Sequence, residues 1–486
     1  MYRKLSLSIG TIVGLLSLVL LILLIPSPKF SEINSSLVNC YTIIALINIF
    51  VFLKIVNQFV KTWVRFDLFF LLGFFIVHFQ TVFLYTSLSI EPRQYNFWTN
   101  KSVVNYGIWY STLILIFWMF GYYLYLQKMS NIKSIQFSEK GNYRINYHPL
   151  FDYIILFTFL IFGALVGGAF WSGSYEGASN WGAGATYVFL VLRTMISLRI
   201  VYFFINNSEN LKSFTKIKIA IFKNKIFIAS LLIFILIFFI QGDRGPVMQM
   251  GLLIAACYTI FVVDISFTKI FIGIISAALV FTIIGLGRSS DAGSRDGGML
   301  DTGLDKLQDE GNGIIPTDEL AWSGSLFYKS IDLNPKGEPF LGGYTVFNNL
   351  VDVIPMSTIF YEPPKYFKSS TNYFTFIYKG PNARFGVGSA IIADLYINFG
   401  SFITVIIFFV FGYFMAMMTI KAHIEKNFHW ILFYVVMMSL SVYINRSNFL
   451  TPLKYIFYLI IFSKIFTHIV FVKYGTKKSS ISDSGS

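Results

Sequence analysis

Charged residues are scarce in this sequence: Asp, Glu, Lys and Arg make up 13% of its 486 residues, about half the share found in soluble domains. So little charge excludes an ordinary soluble globular class. Cysteine is nearly missing, and Cys40 and Cys257 both fall inside apolar runs, so no disulfide staples an outer loop. Histidine is limited to His78, His148, His423, His429 and His468. There is no His-Glu-x-x-His, no Walker loop, and no cluster of His, Cys and carboxylates at metal-ligand spacing. No metal and no cofactor are expected. Internal repeats are lacking too, which weighs against a transporter built from symmetric halves.

What the chain has instead is apolar length. Hydrophobic residues make up 55% and aromatics 19% of the sequence, with a mean hydropathy of +0.65, which indicates an all-α polytopic membrane protein. The formal net charge of +14 is then a topology signal first, and nucleic acid is not an expected partner. Arg3 and Lys4 before an apolar run resemble a signal peptide, but Pro26-Ser27-Pro28 offers no small-residue cleavage site, so a retained first span is expected.

Twelve spans are expected, at roughly 5–25, 37–56, 66–88, 103–126, 150–170, 184–205, 225–241, 246–263, 269–287, 388–420, 429–445 and 449–472. Each is near the ~20 residues that a bilayer core requires. With the N-terminus inside, the inner segments hold twenty basic residues and the short outer loops five: Lys29, Arg93, Lys101, Arg244 and Arg446. That bias places both termini of a multi-pass membrane protein in the cytoplasm. The chain divides into a membrane domain over 1–287, an outer-face loop over 288–387, a second membrane domain over 388–472, and a disordered tail over 473–486. The loop between spans nine and ten is too long to be slack and too small for a domain with its own large core, so a lid packed on the bundle is expected. Tyr344 to Val353 is an amphipathic piece of it.

One polar hexapeptide organises the outer face. Gln241-Gly242-Asp243-Arg244-Gly245-Pro246 lies between two apolar runs. Its glycines permit a sharp turn, and Pro246 suits the first turn of the next helix. Arg244 therefore falls at a helix N-terminus, a natural anion site, with Asp243 beside it. A charged turn capped by an Asp-Arg pair is the plainer reading. The inner basic set is lysine-rich, whereas the outer face puts arginines at glycine-flanked junctions. Arg288 leaves span nine in Gly285-Leu286-Gly287-Arg288, Arg295 follows, and Arg384 precedes Gly386-Val387-Gly388-Ser389, where Ser389 is expected to cap span ten. Bidentate guanidinium donors suit diphosphate; arginines snorkelling to headgroups are the alternative.

Within the spans, Arg193 lies deep in the sixth, and Arg199 is expected to snorkel toward the cytoplasmic end. Asp394 lies in span ten, with Asn398 on its face and Tyr396 pointing largely elsewhere. Asp394 suits either an interhelical network or a base or sugar ligand at the lid floor. His78 is expected to be a hydrogen-bonded buried imidazole.

The long outer loop, Gly242-Asp243-Arg244-Gly245-Pro246 at one helix start, and Gly386-Val387-Gly388-Ser389 through Asp394-Leu395-Tyr396-Ile397-Asn398-Phe399-Gly400 at another together resemble Wzy-type O-antigen and capsule polysaccharide polymerases. The piece from Leu341 to Pro355, with Gly342-Gly343-Tyr344 and Ile354-Pro355, is similar as well. The likeness in architecture covers most of the chain, and the sharp motifs span about 40 residues. Asp394 is a departure, at a place where many members carry Glu.

The resemblance implies a metal-independent C-type glycosyltransferase working on lipopolysaccharide or capsule precursors. Its substrate is an undecaprenyl-diphosphate-linked oligosaccharide, its surroundings membrane lipid, and its associates a chain-length regulator and a flippase. Arg244 and Arg288 are then expected at the diphosphates, with Asp394 as base or acceptor-sugar ligand. Arg193, Arg295, Arg384, Asp243, Tyr396 and Asn398 are expected around the substrate. A lipid-linked oligosaccharide flippase and an O-antigen ligase are the rivals. The ligase family is expected to use an outer-loop histidine, and 288–387 contains none.

Overall fold

The computed structural model describes residues 2–26, 31–92, 97–98, 100–130, 143–146, 148–171, 181, 184–288, 299–309, 315, 317–334, 339–355, 357–383 and 386–471. The first helices are α1 (Tyr2–Leu23), α2 (Ser35–Val56), α3 (Phe66–Phe75), α4 (Thr81–Leu88) and α5 (Val104–Ser130); a π-helical turn at Ile76–Gln80 fuses α3 to α4. There follow α6 (Leu150–Leu165), a turn α7 (Gly168–Trp171), α8 (Ala185–Leu211), α9 (Phe214–Lys223), α10 (Lys225–Ile240), α11 (Arg244–Phe261) and α12 (Phe267–Arg288). The 288–387 segment contributes α13 (Met299–Asp309), α14 (Asp318–Ala321), α15 (Gly324–Leu333), α16 (Tyr344–Val351) and α17 (Ser370–Lys379). The chain then runs through α18 (Ile391–His423), α19 (Phe428–Ser439) and α20 (Thr451–Phe466). One small exception to the helical rule is an antiparallel ribbon of β1 (Tyr143–Asn146) and β2 (His468–Phe471).

Among the described residues, seven helical stretches are long and apolar enough to cross a membrane, and α9 with α10 forms an eighth candidate, bent by 91°. The chain is thus an almost wholly helical, multi-pass membrane protein. The helices α6, α11, α19 and α20, on the other expected spans, have 16, 18, 12 and 16 residues. Most fall short of the ~20 residues of a full crossing.

Between membrane helices the lipid is as apolar as the side chains, so close packing holds the bundle more than burial does. The tightest seam joins α5 to α18, and it is made by glycine. A Cβ on Gly121 would lie 1.9 Å from the Phe409 carbonyl, and one on Gly412 would lie 1.9 Å from the Trp118 carbonyl. The two backbones touch, and neither position has room for a side chain. Aromatic rings fill the space around the seam: Phe70 lies 5.0 Å from Trp118 and 5.6 Å from Phe411, centroid to centroid.

Two enclosed ion pairs fix the far end of the bundle. Arg65 donates to Asp67 at 3.0 Å and to the carbonyls of Val60 and Thr62, with both charged side chains fully buried. Arg199 does not snorkel as the sequence led one to expect. It is buried, because Asp152 on α6 supplies a counter-charge at 2.7 Å and Asn224 an acceptor at 2.6 Å. With its charge met inside the protein, its reason to reach the headgroups is gone.

Helix α18 breaks at Gly400, whose φ of +72° is open to glycine. The surroundings satisfy the interrupted ladder. The Ile397 carbonyl accepts from the amide of Leu341 at 2.8 Å, and the Ser401 carbonyl from the Tyr110 hydroxyl at 2.6 Å.

The described parts of 288–387 are short helices packed on the bundle. Gly324 brings α15 against the π-turn, where an added Cβ would lie 2.2 Å from the Val77 carbonyl. Thr317 donates to Gln80 of the same turn at 2.6 Å. Asn398 donates to Thr345 of α16 at 2.7 Å, and Lys454 pairs with Asp352 at 2.7 Å. In α17 burial pushes the Tyr378 hydroxyl up to about 12, so it stays a neutral donor, directed at the Ser325 carbonyl.

Candidate functional site

The hexapeptide turns as its residues dictate. Gly242 takes a φ of +72°, and Asp243 caps α11, its Oδ1 accepting from the Gly245 amide at 3.2 Å. Arg244 is the first residue of α11. Its guanidinium crosses to α12, where Nη1 donates to the Phe281 carbonyl at 2.7 Å. It passes over Gly285, where a Cβ would stand 2.7 Å from Nη1. That glycine is in the motif preceding Arg288, and its role is to give Arg244 room. Nη2 pairs with Glu319 of α14.

Glu319 has a second cation. Arg446 ends the 3-10 turn Tyr443–Arg446 between α19 and α20, and its Nη1 lies 3.6 Å from Glu319 Oε1. A carboxylate from the loop thus stands between guanidiniums from two different helix junctions. The side chains of Arg244, Arg446 and Glu319 are 19%, 26% and 42% exposed, so the cluster is open to solvent on the loop side. An ion pair that wet is worth only about 0–1 kcal/mol.

Behind this cluster lies Arg193. It is the ninth residue of α8, about 12 Å below the helix start at 1.5 Å per residue. It is 6% exposed, and its Cζ sits 4.0 Å from the centre of the Tyr455 ring. Among the described residues it makes no ion pair. A buried arginine at membrane depth is costly, and a desolvated cation–π contact offsets on the order of 2 kcal/mol of that. Such a charge is usually kept for a ligand. Tyr443 links the two parts, lying within electrostatic range of Arg446, Tyr455, Asp243 and Arg193. Lys454 also pairs with Asp352, and so carboxylates of the loop are held by the bundle at two places.

The structure therefore brings Asp243 and Arg193 to the surroundings of Tyr443, with Arg244 next to Asp243 in the chain. Arg288 ends α12, but its side chain lies outside the described residues, as do Arg295 and Arg384 altogether. Asp394 has partners of its own. It is fully buried in the first turn of α18, and its Oδ2 accepts from the Phe449 amide at 2.8 Å. Ser370 lies against it, bonded in turn to Ser389 and Asn448. Asp394 thus ties α17, α18 and the loop before α20 together, and its Oδ1 is buried with no hydrogen-bond partner among the described residues. Ser389 does not cap α18 as expected. The cap position is Ala390, and the Ser389 hydroxyl is taken by Ser370. Asn398 shares the Asp394 face, donating to its carbonyl at 2.7 Å, while Tyr396 packs among Tyr110, Phe327 and Phe340. Asn398 also donates to Thr345 of the loop, and Phe327 and Phe340 belong to it as well.

His78 is buried, and among the described residues it lacks the hydrogen bond expected of it. The π-turn directs it between Phe74 and Phe327, 4.6 and 6.2 Å away, and neither nitrogen has a partner among the described residues. Sequence reasoning missed Glu319, Tyr443, Arg446, Lys454 and Tyr455 as site residues. Arg446 carried a signal, being one of the five basic residues of the short outer loops. Compared with known proteins, the chain matches no family model, no curated protein and no solved structure.

Proposed function

We propose that this chain is a glycosyltransferase that polymerises undecaprenyl-diphosphate-linked oligosaccharide repeat units into O-antigen or capsular polysaccharide. It works at the outer leaflet of a bacterial cytoplasmic membrane, on a twelve-span bundle with both termini cytoplasmic and the 288–387 loop as an outer lid. The observation that supports this best is Glu319 bridging Arg244 and Arg446 above the buried Arg193. These are cations fixed at helix junctions, held by a displaceable carboxylate, with one more cation toward the membrane.

In the reaction an acceptor-sugar hydroxyl oxygen attacks the anomeric carbon of the donor glycan. The bond from that carbon to the diphosphate oxygen breaks, and the lipid diphosphate leaves with the electron pair. The leaving group needs charge stabilisation, which prealigned guanidiniums supply. A diphosphate has charge and oxygens enough to outcompete one carboxylate for Arg244 and Arg446. Glu319, once displaced, is the carboxylate placed to accept the hydroxyl proton. Arg193 meets a diphosphate approaching from the membrane side, and Asp394 holds the helix ends that frame the recess.

The test is incubation of purified protein with a lipid-linked repeat unit, without metal or nucleotide sugar, and separation of products by size. A ladder spaced by one repeat, with release of lipid diphosphate, is the expected result. An unchanged single band from folded protein removes the polymerase and leaves a flippase using the same anion site.

A further inference from the structure

At the end of the bundle opposite the loop, α9 and α10 meet at 91°, so that where α10 runs along the membrane normal, α9 lies in the plane of its surface. The sequence of α9, Phe-Thr-Lys-Ile-Lys-Ile-Ala-Ile-Phe-Lys, suits that position. Ala220 is buried against the protein, Phe214 and Phe222 are 79% and 75% exposed, and Lys216, Lys218 and Lys223 are exposed as well. Exposed phenylalanines with lysines around them fit the boundary between acyl chains and headgroups.

In the elbow of the two helices is a cavity of about 450 Å³, bordered by Asn146, Asp152, Tyr153, Lys223, Asn224 and Lys225. That volume is within the range of small-ligand sites. The charge of Asp152 is met by Arg199 at 2.7 Å, which leaves the two lysines as the uncompensated charge of the lining. Among the described residues neither lysine has an ion-pair partner. Lys225 also heads an apolar stripe. Leu232, Leu236 and Ile240 follow at i+7, i+11 and i+15, on the same face of α10, and all three are exposed. The stripe runs about 22 Å from Lys225 at 1.5 Å per residue. An occupant that satisfies both halves is anionic at one end and apolar over the length of an acyl chain.

We propose that this elbow is a binding site for one anionic phospholipid. Its phosphate lies in the cavity between Lys223 and Lys225, with Tyr153, Asn146 and Asn224 as polar neighbours, and an acyl chain follows the stripe down α10. The site is independent of the recess under the loop and of the reaction proposed for it.

The test is native mass spectrometry of the purified full-length protein, titrated in detergent with phosphatidylglycerol or with phosphatidylcholine. Wild-type protein is expected to retain one phosphatidylglycerol and to show no comparable retention of phosphatidylcholine. The double variant Lys223→Ala/Lys225→Ala is expected to retain phosphatidylglycerol roughly thirtyfold less well, from about 1 kcal/mol per basic residue. Lys223→Arg/Lys225→Arg keeps the binding. Lys54→Ala/Lys128→Ala, which removes as much charge from positions that do not line the cavity, keeps it too. Equal retention of the two lipids by the wild type, which needs no variant to fold, overturns the proposal. So does undiminished binding by the alanine pair, or an equal loss in the Lys54/Lys128 control, which would assign the effect to overall charge.

Discussion

Glu319 stands between Arg244, to which it is ion-paired, and Arg446, whose Nη1 lies 3.6 Å from its other oxygen. The two arginines belong to separate helix junctions and the carboxylate to the loop above them, so three distant stretches of chain meet at one charge. Around them the guanidiniums of Arg244, Arg446 and Arg193 outnumber the carboxylates of Glu319 and Asp243, and Arg193 has no carboxylate partner among the described residues.

Replacing Glu319 separates its two roles. Glu319→Gln removes the competing charge, and since an exposed pair contributes about 0–1 kcal/mol, binding of a polyprenyl diphosphate should tighten by up to about fivefold. Transfer should fall at least a hundredfold if the carboxylate takes the proton, general-base contributions being about 10²–10⁴-fold. Glu319→Asp should recover part of the rate. Microscale thermophoresis for binding and ladder formation for transfer read the two effects separately. Unchanged ladders from Glu319→Gln would remove the proton-accepting role while leaving the anion site standing.

Arg244 is held by geometry that lysine cannot copy, since one guanidinium serves both the Phe281 carbonyl and Glu319. Arg244→Ala should abolish polymer in cells while the protein still inserts. Arg244→Lys should lose about one to two orders of magnitude in rate, the loss of a charged hydrogen bond being about 1.5–3 kcal/mol. Gly285→Val should imitate the alanine variant, because its side chain would occupy the path of the guanidinium. Normal polymer length and amount in Gly285→Val would show that the arginine is not needed in this orientation.

Much of this was legible in the sequence, for physical reasons that can be named. Gly242, Asp243 and Pro246 around Arg244 are local signals, since a left-handed turn, a cap and a helix start each have their own residue preferences, and the structure has all three. Glu319 was not legible. One carboxylate in a loop rich in acids has no spacing that marks it, and its importance comes from tertiary placement alone. For Asp394 the sequence left two readings open, an interhelical network or a ligand for sugar, because a carboxylate in an apolar helix is costly wherever it is not paired. Its partner turned out to be the backbone amide of Phe449, 55 residues away. The Ser389 cap failed because a long-range bond to Ser370 outweighed the local one.

The glycine seam supplies a stability prediction independent of function. Gly412→Val and Gly121→Val should each abolish recovery of monodisperse protein in detergent. The new side chain meets backbone at 1.9 Å and has no flexible neighbour to displace. Gly251→Ala, with nothing within 4 Å, should leave recovery unchanged. Size-exclusion profiles of the three variants decide the matter, and a normal profile for Gly412→Val would mean that α5 and α18 lie farther apart than described.

Arg193 allows the most discriminating comparison, because the bundle also contains arginines that are buried with partners. Arg65→Met strips the counter-charge from Asp67, and breaking such a pair costs about 3–5 kcal/mol, so its thermal midpoint should fall by several degrees or the protein should fail to fold. Arg193→Met removes a buried charge that rests on the Tyr455 ring and has no carboxylate partner among the described residues, so without added diphosphate its midpoint should hold or rise. The difference appears on adding a polyprenyl diphosphate. Ligand that binds only the folded state stabilises the wild type in proportion to the logarithm of its concentration over the dissociation constant. That shift should shrink sharply in Arg193→Met while the unliganded protein is unharmed. A residue kept for structure loses stability when it is replaced, and a residue kept for a ligand loses only the ligand's contribution. If Arg193→Met lowers the midpoint as Arg65→Met does and leaves the diphosphate shift intact, Arg193 belongs with the structural arginines and the anion site ends at Arg244 and Arg446.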